Sequence, residues 1–189
     1  MSPESPSQLI MELPEPLLAG FQPVAPAPGY ALRTYRAGDE RRFFELMALA
    51  GWPGWDDAKL QPWIARIPPG SWFMAIEEGS GQIVATAMAL HNHTPLHPFG
   101  GELGWVAGDP AHAGRGLGLA VCAAVTARLI AAGYRAIHLY TEDERLPALK
   151  TYFRLGYRPL LYAPDMAERW RSVCAQLGEP FAPGDWREA

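Results

Sequence analysis

The chain has 189 residues, of which 49% are hydrophobic and 19% charged, and its formal net charge is −4 at pH 7. This is a globular composition with room for one domain and a substantial core, and it does not describe a disordered chain. The acidic balance and the lack of a basic run argue against nucleic-acid binding. No apolar run approaches the ~20 residues of a membrane span and no secretory pattern opens the chain, so a cytoplasmic protein with neither partner is expected.

Residues 1–29 are rich in proline (Pro3, Pro6, Pro14, Pro16, Pro23, Pro26, Pro28), which removes backbone donors and favours extended chain. They read as an extended arm whose apolar part, residues 9–21, packs on the body or on a second subunit. Residues 30–189 read as a single domain.

Tyr30 to Tyr35 alternates as a first strand. Gly38-Asp39 opens a helix with Phe43, Leu46, Met47 and Ala50 at helical spacing and Gly51 as its stop. GWPGW, residues 51–55, is a turn with two indoles. Asp56 caps a second helix through Leu60, Trp63, Ile64 and Ile67, which Pro68-Pro69-Gly70 ends. Ser71 to Glu77 and Gln82 to Leu90 form a hairpin across Glu78-Gly79-Ser80-Gly81.

After the loop HNHTPLHPFG, residues 91–100, a strand from Gly101 delivers a turn with Gly114, Gly116 and Gly118 onto a long apolar helix ending at Ala132. Arg135 to Thr141 is a strand, and Pro147 suits the first turn of a helix that Gly156 stops. Tyr157 to Tyr162 is a further strand, Asp165 caps a helix through Leu177, and the tail adds a short edge segment. Strands first, then strand-helix-strand-helix-strand, imply an α/β (α+β) layer with a mixed sheet. Cys122 and Cys174 lie far apart without zinc spacing and read as two reduced thiols.

A glycine turn at a helix N-terminus suits an anion, because the first-turn amides lack partners and the macrodipole is positive there. The dinucleotide pattern GxGxxG fails: from Gly114 its third position is Leu119, and from Gly116 it is Val121. A Walker loop fails as well, since no Lys-Ser or Lys-Thr follows.

The stretch Ala113-Gly114-Arg115-Gly116-Leu117-Gly118, followed at the right separation by Tyr152-Phe153-Arg154-Leu155-Gly156-Tyr157, resembles the Gcn5-related N-acetyltransferase (GNAT) superfamily over about residues 30–162. The resemblance implies a mixed central sheet of six to seven strands, flanked by helices and splayed at a cofactor cleft. It also implies acetyl-CoA (coenzyme A) as cofactor. The pantetheine arm is then expected along Trp105, Val106, Ala107 and Gly108, and the diphosphate at Ala113, Gly114, Arg115, Gly116, Leu117, Gly118 and Leu119, with Arg145 also at the cofactor. Two positions depart from the family pattern: Ala113 stands where Arg or Gln is usual, and Arg145 where Asn is. Recognition is therefore expected to rest on backbone amides, with Arg115 replacing some of the lost charge.

By the same resemblance Tyr152 is the proton donor to the leaving thiol. Glu102 is the candidate base, with a solvated glutamate after a Gly-Gly turn as its alternative. Trp52 and Trp55 are expected in the acceptor pocket and Trp63 and Trp72 in the core. His91, His93 and His97 lack an acidic ligand in fixed register, so no metal is expected. Their loop is placed over the acceptor site instead, with His91 and His93 as substrate-side groups. The implied activity is acetyl transfer to a primary amine of a small molecule by a monomer or homodimer. The alternatives are a protein or peptide N-acetyltransferase and a non-catalytic acyl-CoA-binding module.

Overall fold

The computed structural model describes residues 7–188; residues 1–6 of the proline-rich arm and Ala189 lie outside it. In chain order the elements are β1 (Leu9–Glu12), α1 (Glu15–Leu18), β2 (Tyr30–Thr34), α2 (Glu40–Leu49), α3 (Asp57–Ile64), β3 (Trp72–Glu77), β4 (Ile83–His91), β5 (Gly101–Gly108), α4 (Leu117–Ala131), β6 (Ile137–Thr141), α5 (Leu146–Arg154), β7 (Arg158–Leu161), α6 (Met166–Leu177) and β8 (Arg187–Glu188). The strands form one sheet in the order β2-β3-β4-β5-β6-β1-β7-β8. All neighbours are antiparallel except β5 with β6 and β7 with β8.

The sheet therefore has eight strands where six to seven were expected. The extra one is β1, which the composition reads as part of an arm. It does pack on the body, and it does so as an inner strand, with Leu9 opposite Thr141 on one side and Met11 opposite Pro159 on the other. Leu9 and Met11 are fully buried.

Helices cover both faces of the sheet. On one face α2 and α3 place Phe43, Leu46, Met47 and Leu60 against Trp72, Met74, Met88 and Leu90. On the other, α4 lays Val121, Cys122 and Val125 over Ala75, Ala85, Ala87 and Ala89, together with β1, α5 and α6. The alanines of β4 let α4 approach closely, and burial on both faces explains the nearly unbroken apolar run of that strand. Asp56 caps α3 as its position predicts, accepting from the Lys59 N–H at 2.8 Å. Cys122 and Cys174 are both free and buried.

Two irregularities open the sheet in its middle. Thr86 pairs with Ala107 and Met88 with Gly104, so Trp105 and Val106 together face the single residue Ala87. This is a β-bulge, and Trp105 takes a left-handed φ of 49° within it. Beside it, β5 and β6 pair only at Gly101 with Ile137 and Glu102 with His138. From Leu103 onward the two strands part.

Candidate active site

Two cavities flank the parted strands. The larger, of about 600 Å³, runs from Val106–Gly108 past residues 113–119 to Arg145, Thr151 and Arg154. The smaller, of about 370 Å³, is lined by Trp52, Trp63, Arg66, Asn92, Glu102, Trp105, Tyr140 and Glu142 among others. Both include Val106, Arg145, Ala148 and Tyr152, which places the junction of the two spaces there.

The larger cavity suits a linear, anionic ligand. Gly114 and Gly116 have φ of 76° and 71°, and a Cβ built on either meets no atom within 4 Å. The first intrahelical bond of α4 runs from the Ala120 N–H to the Gly116 carbonyl at 3.0 Å, so the amides of Leu117, Gly118 and Leu119 are available to an anion. The turn is braced from behind: Asp109 accepts from the Ala111 N–H at 2.9 Å and from Arg42 at 2.6 Å. Arg115 lies over the Tyr30 ring at 5.7 Å, and the Tyr30 hydroxyl meets His112 Nδ1 at 2.9 Å. Residues 103–108 have no partner on β6, which leaves backbone donors and acceptors along that edge for an amide-bearing chain. These features fit coenzyme A, with a diphosphate at the glycine turn and an amide-containing arm along β5.

The smaller cavity holds the carboxylate of Glu102. Glu102 accepts from Asn92 Nδ2 at 2.7 Å, and Arg66 Nη2 lies 3.5 Å from its Oε2. Burial pushes its carboxyl above the ordinary range, against the opposing pull of Arg66, Asn92 and His97. Tyr152 is 5% exposed. Burial first, then Cys122 and Tyr157, hold its phenol well above its usual value, so it stays protonated. Arg145 pairs with Glu142 at 2.7 Å and stacks on Trp52 at 4.4 Å. Arg66 stacks on Trp63 at 4.8 Å.

The residues expected from the sequence divide accordingly. Ala107, Gly108 and Ala113 to Leu119 line the larger cavity, Glu102 and Trp52 line the smaller, and Val106, Tyr152 and Arg145 line both; Trp105, expected along the cofactor arm, lines the smaller cavity instead, where the bulge carries its ring. Trp55 does not reach either space. It is 7% exposed and packs edge-on against Phe43 at 5.1 Å and Trp105 at 4.6 Å, so it supports the wall from behind. Trp63, expected in the core, lines the smaller cavity instead.

The loop histidines are not over this site. His91 Nδ1 lies 3.1 Å from the Tyr134 hydroxyl, and His93 Nδ1 accepts from the Phe99 N–H at 3.1 Å; neither is in the lining of these two cavities. His97 is buried against Glu12 at 2.5 Å. Arg66, Asn92 and Tyr140 were missed altogether, because each becomes part of the site only through long-range packing. The one local hint was the position of Arg66 beside Trp63 on a helix end.

The chain is also similar to known proteins in sequence and fold. The chain is 33% identical over 153 residues to a mycothiol acetyltransferase of Mycobacterium sp. (strain MCS), covering 74% of this chain and 49% of the relative. It is 30% identical over 184 residues to that of Mycobacterium avium (strain 104), covering 86% and 56%. The chain thus spans about half the length of the curated relatives it matches. Among solved structures it is similar to a GCN5-related N-acetyltransferase from Sphaerobacter thermophilus, with a TM-score of 0.62 and 27% identity over 82% of this chain and 49% of that one. The fold is shared with AAC(6')-Iy, solved in complex with the bisubstrate analog CoA-S-monomethyl-acetylneamine, at a TM-score of 0.55 and 22% identity over 68% and 90% of the two chains. Residues 35–157 match the family described as Acetyltransferase (GNAT) family, and the chain belongs to it.

Proposed function

We propose that the chain transfers an acetyl group from acetyl-CoA to a primary amine of a small molecule, by direct attack with both substrates bound. The observation that carries this reading is the meeting of two cavities at Tyr152, one whose lining suits an anionic cofactor and the other holding the largely buried carboxylate of Glu102. Acetyl-CoA, when bound, supplies the acyl thioester. The residues of this chain supply positioning and protons.

An alkyl ammonium has a pKa of ~10.4 and must lose a proton before it can attack. Glu102 Oε2, with its raised pKa, is the acceptor of that proton, directly or through a water. The Tyr152 hydroxyl, kept protonated by burial, is the donor on the cofactor side. Trp52, Trp63 and Trp105 enclose the acceptor space, with Trp105 edge-on to the other two at 6.1 and 4.8 Å. Such a walled space favours a small molecule over an extended peptide. The relatives' name, mycothiol acetyltransferase, supports the same class.

The test is calorimetry with acetyl-CoA followed by a thiol-release assay across small amines and amine-bearing peptides. Binding with turnover on small amines is expected. Turnover confined to peptides would reassign the acceptor, and binding without any turnover would make the chain an acyl-CoA-binding module.

A further inference from the structure

At the point where β5 and β6 separate, Glu102 pairs with His138, and the two side chains share a face of the sheet. His138 is fully buried. The Asn92 side chain sits between the two: its Nδ2 donates to Glu102 Oε2 at 2.7 Å and lies 3.5 Å from His138 Nε2. An amide nitrogen has two protons and no lone pair to offer, so a hydrogen bond across this contact requires His138 Nε2 to accept and puts the ring proton on Nδ1, which is buried without a hydrogen-bond partner among the described residues.

The ring is held from behind. His97 stacks on it at 3.8 Å with planes 8° apart. His97 Nε2 is fixed to Glu12 at 2.5 Å, and Glu12 in turn takes Arg187 at 2.5 Å. Gly100 closes the loop over the cluster so tightly that a Cβ there falls 2.8 Å from His138 Cε1 and 2.5 Å from the Asn92 carbonyl.

From this arrangement we infer that His138 is a positioning residue: it accepts the second Asn92 N–H and so holds the amide nitrogen of Asn92 against Glu102. The inference rests on Glu102 being the base. Burial and the nearby charges of His97 and Arg66 lower the His138 pKa to about 3, which agrees with a ring that accepts at Nε2 throughout the working range. The other groups facing Glu102 are Arg66, His97 and Tyr140.

The sign follows from the Asn92 bond, which lowers the Glu102 pKa. His138→Phe keeps the stacked ring and removes the acceptor, so the acid limb of the kcat/KM profile is expected to move up by about one pH unit. KM for acetyl-CoA stays unchanged, and His138→Gln, which restores an acceptor, returns the limb toward the wild-type position. A limb unmoved in His138→Phe would overturn the inference, as would an equal shift in the Phe and Gln variants. Glu102→Gln separates the two claims: if the limb survives that change, the base assignment fails, whatever His138 does. Imidazole ¹⁵N NMR of the unmutated protein gives an answer free of folding defects. It should show His138 as the neutral Nδ1–H tautomer from pH 8 to 5; an Nε2–H tautomer, or titration near 6.5, would overturn the inference.

Discussion

Tyr152 shows how much one side chain depends on where its helix sits. Its ring is packed with Tyr157 at 6.3 Å between centroids, while its surface lines both cavities. Tyr152→Phe preserves the ring and removes only the hydroxyl. A thiol of pKa ~8.5 is a fair leaving group, so loss of the donor is expected to lower kcat by about tenfold, below the usual range for general acids. KM for acetyl-CoA and the melting temperature should stay as they are. A kcat equal to wild type would remove Tyr152 from the chemistry. The tyrosine was legible because a local motif, the helix stopped by Gly156, fixes its position. Trp55 and Trp63 were not, since their exchange of roles is decided by which face of α3 and its preceding turn meets Trp105.

At the scale of elements, the strand-turn-helix of β5 and α4 does two separate things. The turn presents amides, and the bulge at Trp105 and Val106 shifts the strand's register against β4 where its pairing with β6 has ended. Glycine content announces the turn. Nothing local announces the bulge, which exists only relative to the register of β4. The turn yields a prediction. Gly116 has a left-handed φ of 71° with open space at Cβ, so Gly116→Val adds backbone strain of ~1–3 kcal/mol and fills the space before the helix amides. Acetyl-CoA affinity is expected to fall at least ~100-fold, about 2.7 kcal/mol. Gly133→Val is the control, because Gly133 has a φ of 88° and equally open space at the far end of α4. It should share the strain and keep the affinity. Normal binding by Gly116→Val would show that the diphosphate lies elsewhere.

The whole molecule is closed by its first strand. Proline content hid β1, because Leu9–Glu12 is too short to display a period and its partners, β6 and β7, come from the other end of the chain. Its position makes residues 9–13 part of the core. Leu9 and Met11 are fully buried, the Leu13 N–H donates to the Ile137 carbonyl at 2.9 Å, and the Tyr162 hydroxyl donates to the Gln8 carbonyl. The segment also touches the site and its support: Gln8 Nε2 donates to Glu142 at 2.8 Å, and Glu12 anchors His97, which stacks on His138 behind Asn92. Removing residues 1–13 leaves β6 and β7 with facing, unpaired edges across a slot and removes four buried apolar side chains, Leu9, Ile10, Met11 and Leu13. Each such side chain is worth ~2–5 kcal/mol by truncation to alanine, and the four together reach the whole stability of a typical domain, ~5–15 kcal/mol. The truncated chain is therefore expected to lose its cooperative melting transition. A peptide of residues 7–19 supplied in trans should restore part of both the transition and the turnover, because the slot is lined on both sides by strands that need a partner. A truncated chain that melts at the wild-type temperature with wild-type kcat would mean that β6 and β7 close on each other without it.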